Sequence, residues 1–103
     1  ISFIGTRVDL DVNSAKKLAN QLRGKAERIM VVLAVKEKEK VNLIIALSDE
    51  LVKSGYHAGN IIREAAKAIR GGGGGQPHLA TAGGKNANGI DQAIAAARKV
   101  LEV

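Results

Sequence analysis

A chain of 103 residues, 46% of them hydrophobic, reads as one globular domain with room for a real core but not for two independent ones. Lysine and arginine number 16 against 10 acids, and the resulting formal charge of +6 favours a polyanionic partner. The lack of cysteine excludes a disulfide framework and a thiolate metal centre, and no segment approaches the roughly 20 apolar residues of a membrane-spanning helix.

Phe3 and Tyr56 are the only aromatic residues. Modules that stack single-stranded bases need several exposed rings, so phosphate or backbone recognition fits this composition better than base stacking. The chain opens on Ile1 and runs straight into a strand-like pattern. That opening suggests a domain cut from a longer polypeptide, with any catalytic companions elsewhere.

In chain order, residues 1–9 carry β-branched and aromatic side chains around Gly5 and predict a first strand ending near Asp9. With Asp11 or Asn13 as cap, Val12, Ala15, Leu18, Ala19, Leu22 and Ala26 recur at helical spacing. The other faces of that helix carry Lys16, Lys17, Arg23 and Lys25. Ile29 to Val35 is continuously apolar, as in a strand covered on both faces. The charged turn Lys36-Glu37-Lys38-Glu39-Lys40 then leads back into a second apolar strand, Val41 to Leu47, so a hairpin is predicted.

After Gly55, the stripe Ala58, Ile61, Ile62, Ala65, Ala66 and Ile69 predicts a helix that stops at five consecutive glycines, Gly71 to Gly75. The run reads as a loop, either a helix C-cap with a flexible connection or an anion-binding concavity of backbone N–H groups. Leu79 to Ala82 predicts a short edge strand, since Pro77 just before it suits an edge. Asn88 and Asp91 mark the start of a last helix carrying Ile90, Ala93, Ile94, Ala97, Val100 and Leu101. The fold class expected is α/β, a mixed sheet covered by helices in the order β-α-β-β-α-(β)-α, with the first two strands joined by a right-handed crossover.

The glycines invite a nucleotide-phosphate reading, which the context rejects. A P-loop needs glycine where Leu79 stands and a hydroxyl residue where Asn86 stands, and a dinucleotide fingerprint needs its glycines between a strand and a helix. His57 and His78 lack a neighbouring cysteine, paired carboxylate or ligand cluster, so catalysis within this chain is not expected. A basic face of Lys16, Lys17, Arg23 and Lys25, extended by Arg28, Lys67 and Arg70, would meet phosphates with little reading of sequence.

The stretch Gly55-Tyr56-His57-Ala58-Gly59-Asn60-Ile61-Ile62, the following helix to Arg70, and Gly73-Gly74-Gly75-Gln76-Pro77-His78-Leu79-Ala80-Thr81-Ala82-Gly83-Gly84-Lys85 resemble the C-terminal domain of alanyl-tRNA synthetases. That domain belongs to the DHH-associated family, shared with DHH-type phosphodiesterases. The resemblance spans residues 1–103 and implies a non-catalytic module that contacts the outer corner of tRNA. It also implies that the module helps aminoacylation and editing act on the same tRNA and aids homodimerisation.

The site residues so implied or expected are Lys16, Lys17, Arg23, Lys25, Arg70, Gly73, Gly74, Gly75, Gln76 and Lys85. Gln76 and His78 depart from the family, which often carries a basic and an acidic residue there. ATP, Mg and Zn are expected for the parent enzyme and none for this domain, with alanine-accepting tRNA as partner and the cytoplasm as location. The alternatives are a substrate-binding domain of a DHH-type phosphodiesterase acting on oligonucleotides or cyclic dinucleotides, and an assembly module using a strand edge.

Overall fold

The most apolar segments of the chain form the middle of a five-stranded sheet. A computed structural model describes residues 1–38 and 40–101. The centre of the charged turn predicted over residues 36–40, at Glu39, lies outside the described residues, as do Glu102 and Val103. Strands β2 (Ile29–Glu37) and β3 (Lys40–Leu47) pair antiparallel as the predicted hairpin. β1 (Ser2–Arg7) runs parallel to β2, and the connection between them is the helix α1 (Val12–Leu22).

Every residue from Ile29 to Val35 is buried because both faces of the sheet are covered. On one side Val31, Leu33 and Ile44 pack with Ala15 and Ala19 of α1. On the other, Met30, Val32, Leu43 and Ile45 pack with side chains of α3 (Ala58–Ala65) and α4 (Ile90–Lys99). Each large aliphatic side chain removed from water here contributes about 1.5–3 kcal/mol, so this two-sided stack dominates the stability. Of the two expected caps of α1, Asp11 or Asn13, it is Asp11 that serves, its carboxylate accepting the Ser14 N–H at 2.7 Å. The helix ends at Leu22, so Ala26 packs from the following turn instead of continuing the stripe.

Three features differ from the sequence expectation. A short helix, α2 (Asp49–Lys53), intervenes between β3 and α3; its five residues are too few to show a stripe. The Ala58–Ile69 segment changes at Ala66 from α-helix to a 3-10 turn, Ala66–Ile69. The last helix starts at Ile90 after a 3-10 turn, Ala87–Gly89, with no side-chain cap, so Asn88 does not play the role its spacing suggested.

The largest correction concerns the glycines. They are not a loop: Gly72–Gly75 form strand β4, paired antiparallel with β5 (Leu79–Gly84). The sheet order is β1-β2-β3-β5-β4. Leu79–Gly84 is therefore an interior strand, and the glycine strand takes the edge that had been expected of it. Pro77 is accommodated because it lies in the turn between them, where Gln76 donates its N–H to the Leu79 carbonyl at 2.9 Å. The mixed α/β sheet covered by helices stands, in the fuller order β-α-β-β-α-α-β-β-α.

Candidate nucleic-acid interface

Within β4 the glycines alternate in purpose. A Cβ on Gly73 would meet the Thr81 carbonyl and Ala82, and one on Gly75 would stand 2.7 Å from the Ala80 Cα. The Gly71 position is closed in the same way by Gly83. These three are glycine because the neighbouring strand leaves no room. Gly72 is different, since a Cβ there would meet nothing within 4 Å, and at Gly74 the nearest atom would be Arg63 Nη2 at 3.6 Å.

Gly72 and Gly74 pair with Gly83 and Thr81, and all four lie on the α1 side of the sheet. α1 packs on β2 and β3, so this outer strip is not covered by it: Gly72 and Gly83 are exposed, Gly74 and Thr81 half-buried. The result is a strip of backbone and one hydroxyl, approached by the Arg63 guanidinium at Gly74 and by Asn42 Oδ1 at Gly83.

The predicted cations divide around this strip. Arg23 is committed to the fold, donating from Nη1 to Asp49 Oδ1 at 3.1 Å and to the Leu47 carbonyl at 3.2 Å. It thereby fixes which flank of α1 faces β3. Its Nε also donates to Asn20 at 3.3 Å, and Lys16 lies one turn earlier on that same flank, half-buried. Lys17 and Lys25 are exposed, and Lys25 lies in the turn after the helix. Lys67 pairs with Glu64 at 3.1 Å.

A second group, only half anticipated, gathers where β3 begins and β5 ends. Lys40, Arg70 and Lys85 line a cavity of about 220 Å³ together with Val41, Asn42, Gly83 and Gly84. Lys40 and Asn42 were not singled out in the sequence, because nothing local shows that the hairpin returns beside residues 83–85. Arg63 was missed for the same reason: its approach to Gly74 depends on α3 packing over β4. Gln76 sits at the far end of the glycine strand, in the turn to β5.

Arg70 holds φ 53°, ψ 47°, the left-handed conformation more usual for glycine at a helix end. Lys85 and Asn86 both donate their backbone N–H to the Ile69 carbonyl, at 2.9 and 3.0 Å, which ties the start of the glycine strand beside Lys85. A Cβ on Gly84 would strike that same Ile69 carbonyl, and one on Gly89 the Ala68 carbonyl.

His57 caps α3, its Nδ1 accepting the Asn60 N–H at 3.2 Å, and the His78 carbonyl accepts from Leu47 N–H at 2.9 Å. Among the described residues, no group of three or more His, Cys, Asp or Glu side chains could hold a metal ion.

A family model described as the DHHA1 domain matches residues 1–103. The chain belongs to the DHHA1 domain family. An alanine–tRNA ligase 1 of Lachnoclostridium phytofermentans is 46% identical over 103 residues, covering 99% of this chain and 12% of that protein. An alanine–tRNA ligase of Bacteroides thetaiotaomicron is 50% identical over 95 residues, covering 91% of this chain and 11% of its own length. This DHHA1 domain thus spans about an eighth of the curated relatives it matches.

Among solved structures, the C-Ala domain of Aquifex aeolicus alanyl-tRNA synthetase superposes with a TM-score of 0.89 at 28% identity, covering 99% of this chain and 90% of that one. A DHH-domain member of the s1p family of ribosomal proteins superposes at 0.63 with 16% identity, covering 97% of this chain and 26% of that one, which shows the fold alone.

Proposed function

We propose that this DHHA1 domain is the C-terminal tRNA-binding part of an alanyl-tRNA synthetase and holds the outer corner of tRNA so that aminoacylation and editing act on one bound molecule. Similarity to alanine–tRNA ligases and to a C-Ala domain supports the placement. The observation that carries the binding role is the glycine-lined strip of Gly72, Gly74, Thr81 and Gly83, approached by Arg63 and bordered by Lys40, Arg70 and Lys85. A strip without large side chains lets a sugar-phosphate backbone approach closely, and lysine and arginine at its end neutralise phosphates irrespective of base sequence.

In this reading Lys16, Lys17 and Lys25 add phosphate contacts, Gly73 and Gly75 shape the strand, and Gln76 closes its far end. Arg23 serves chiefly to hold α1 in place. Alanine, ATP and the metals Mg and Zn would be bound by other parts of the parent ligase, and homodimerisation would be a property of that longer chain. The cytoplasm is the expected location; among the described residues no helix is long and apolar enough to cross a membrane.

The test is a salt-titrated binding assay of the domain with alanine tRNA, a non-cognate tRNA and a single-stranded oligonucleotide. Comparable, salt-sensitive affinity for both tRNAs and weaker affinity for the single strand is the expected result. Absence of binding to either tRNA would refute the reading.

A further inference from the structure

Two local penalties coincide at the upper end of the β3–β5 pair. The register matches Val41 with Gly84 and Asn42 with Gly83, so extending it by one residue sets Lys40 opposite Lys85. Like charges facing each other across an antiparallel pair repel, and this repulsion is offset in part by Glu37, which stands opposite Lys40 on the β2 side. Beside them stands a third cation, Arg70, held in a left-handed conformation that L residues resist. Among the described residues the ion pairs are Arg7–Asp91, Arg23–Asp49 and Lys67–Glu64, and none of these reaches the three.

The space between them is kept open by an absent side chain. Gly83 lines the cavity without filling it, and the Asn42 amide stands over it, its Oδ1 3.4 Å from where a Cβ would be, while Gly84 lines the cavity with backbone alone, its own Cβ direction being closed by Ile69. At about 220 Å³ the cavity falls below the roughly 300–1,000 Å³ of small-molecule pockets, and three cations and an amide stand among its lining residues beside Val41 and backbone. The adjoining groove, lined by Glu37, Lys38, Lys40 and Asn42, carries one acid against two lysines. An anion placed among Lys40, Arg70 and Lys85 converts their mutual repulsion into three charge-assisted contacts.

We infer that Lys40, Arg70 and Lys85, with the Asn42 amide, form a seat for a single phosphate group. The inference deepens the tRNA-binding reading: where other basic residues track the backbone diffusely, this seat fixes one phosphate and hence the register of the RNA on the glycine strip. Both an internal phosphodiester and a terminal phosphomonoester offer the required chemistry.

The counterion argument makes the singleness of the seat measurable. The slope of log K against log salt counts phosphates neutralised, at about 0.7–0.9 each, and not the cations that surround them. Replacing both lysines, in a Lys40→Ala/Lys85→Ala double variant, should therefore lower the slope for tRNA by about one and weaken binding about tenfold. A fall of about two would mean two separate phosphates and would overturn the single seat. An unchanged slope and affinity would remove the seat from the RNA site while leaving the tRNA reading intact.

Independently, the 15N-labelled chain is titrated with inorganic phosphate. Saturable shifts at the Gly83 and Gly84 backbone amides and at the Asn42 side-chain amide are expected, retained in Lys53→Ala and lost in the double variant, whose remaining spectrum reports that it is folded. Linear shifts of equal size at Lys17 and Lys53 would contradict the seat. A 5′-phosphorylated RNA dinucleotide and its 5′-hydroxyl counterpart then separate the sources. Equal saturation assigns the seat to a phosphodiester, and saturation by the phosphorylated one alone assigns it to a terminal phosphate. If phosphate saturates these amides but no tRNA binds, the tRNA reading fails and the seat stands.

Discussion

The centre of the sheet and its glycine edge are built on opposite principles. β2 and β3 are held by what their side chains fill: Met30, Leu33, Leu43, Ile44 and Ile45 are each fully buried between two layers. β4 and the end of β5 are held by what is missing, since at Gly71, Gly73, Gly75 and Gly84 an added carbon would strike backbone. The comparison separates two meanings of a glycine. Some are imposed by neighbouring atoms, and others, Gly72 above all, are imposed by nothing in the fold and leave a surface open.

The comparison can be broken first at the centre. Leu43→Ala should cost roughly 2–5 kcal/mol, read as a fall in the urea midpoint, because a fully buried side chain on the α3–α4 side leaves a cavity. Loss of less than about 1 kcal/mol would mean that this layer is not the main support. Next, Gly73→Ala should cost roughly 1–3 kcal/mol, as overpacking does, since its Cβ must displace β5 backbone. Gly72→Ala, one residue away, should leave stability within about 0.5 kcal/mol. It should nevertheless weaken tRNA binding, so similar stability losses at 72 and 73 would erase the distinction between the two classes.

Arg70 sharpens the same point with a smaller effect of opposite sign. Relieving its left-handed conformation gains about 1–2 kcal/mol, and the extra freedom of an unfolded glycine returns about 0.5–1 kcal/mol. Arg70→Gly should thus be up to about 1.5 kcal/mol more stable in thermal unfolding while binding tRNA less tightly. A destabilised variant with unchanged binding would show that Arg70 serves the fold.

The smallest effect lies at Asp11. Accepting the backbone N–H and the hydroxyl of Ser14 holds its carboxyl below the 3.8 of an ordinary aspartate. A carboxyl depressed by folding contributes stability above its unfolded value and loses it as pH falls through the folded one. Asp11→Asn should be slightly less stable than wild type at pH 7, with the gap closing below pH 3.8 in urea unfolding.

Legibility in the sequence followed the same divide. Helical spacing of apolar residues exposed α1 and α3, continuous apolar runs exposed β2 and β3, and the α1 cap could be narrowed to Asp11 or Asn13 because capping is local chemistry. The glycine strand could not be read that way: residues 72–75 have no side chains, so they carry no alternation, and their pairing with β5 is a fact of tertiary structure. The same blindness hid Lys40, Asn42 and Arg63, whose place at the site depends on register and helix packing rather than on neighbours in sequence. Arg70 and Lys85 could be named because they flank the recognisable glycine motif, whereas Arg23 looked like part of a basic face and proved to be tied to Asp49.

The most direct test of the central claim, that RNA meets the glycine edge, is amide chemical-shift mapping of the 15N-labelled domain with alanine tRNA at rising salt. Salt-dependent perturbation concentrated at Gly72, Gly74, Thr81, Gly83, Gly84 and Lys85 is the predicted result. Perturbation confined to β1 and α4, with the glycine strand silent, would contradict the account.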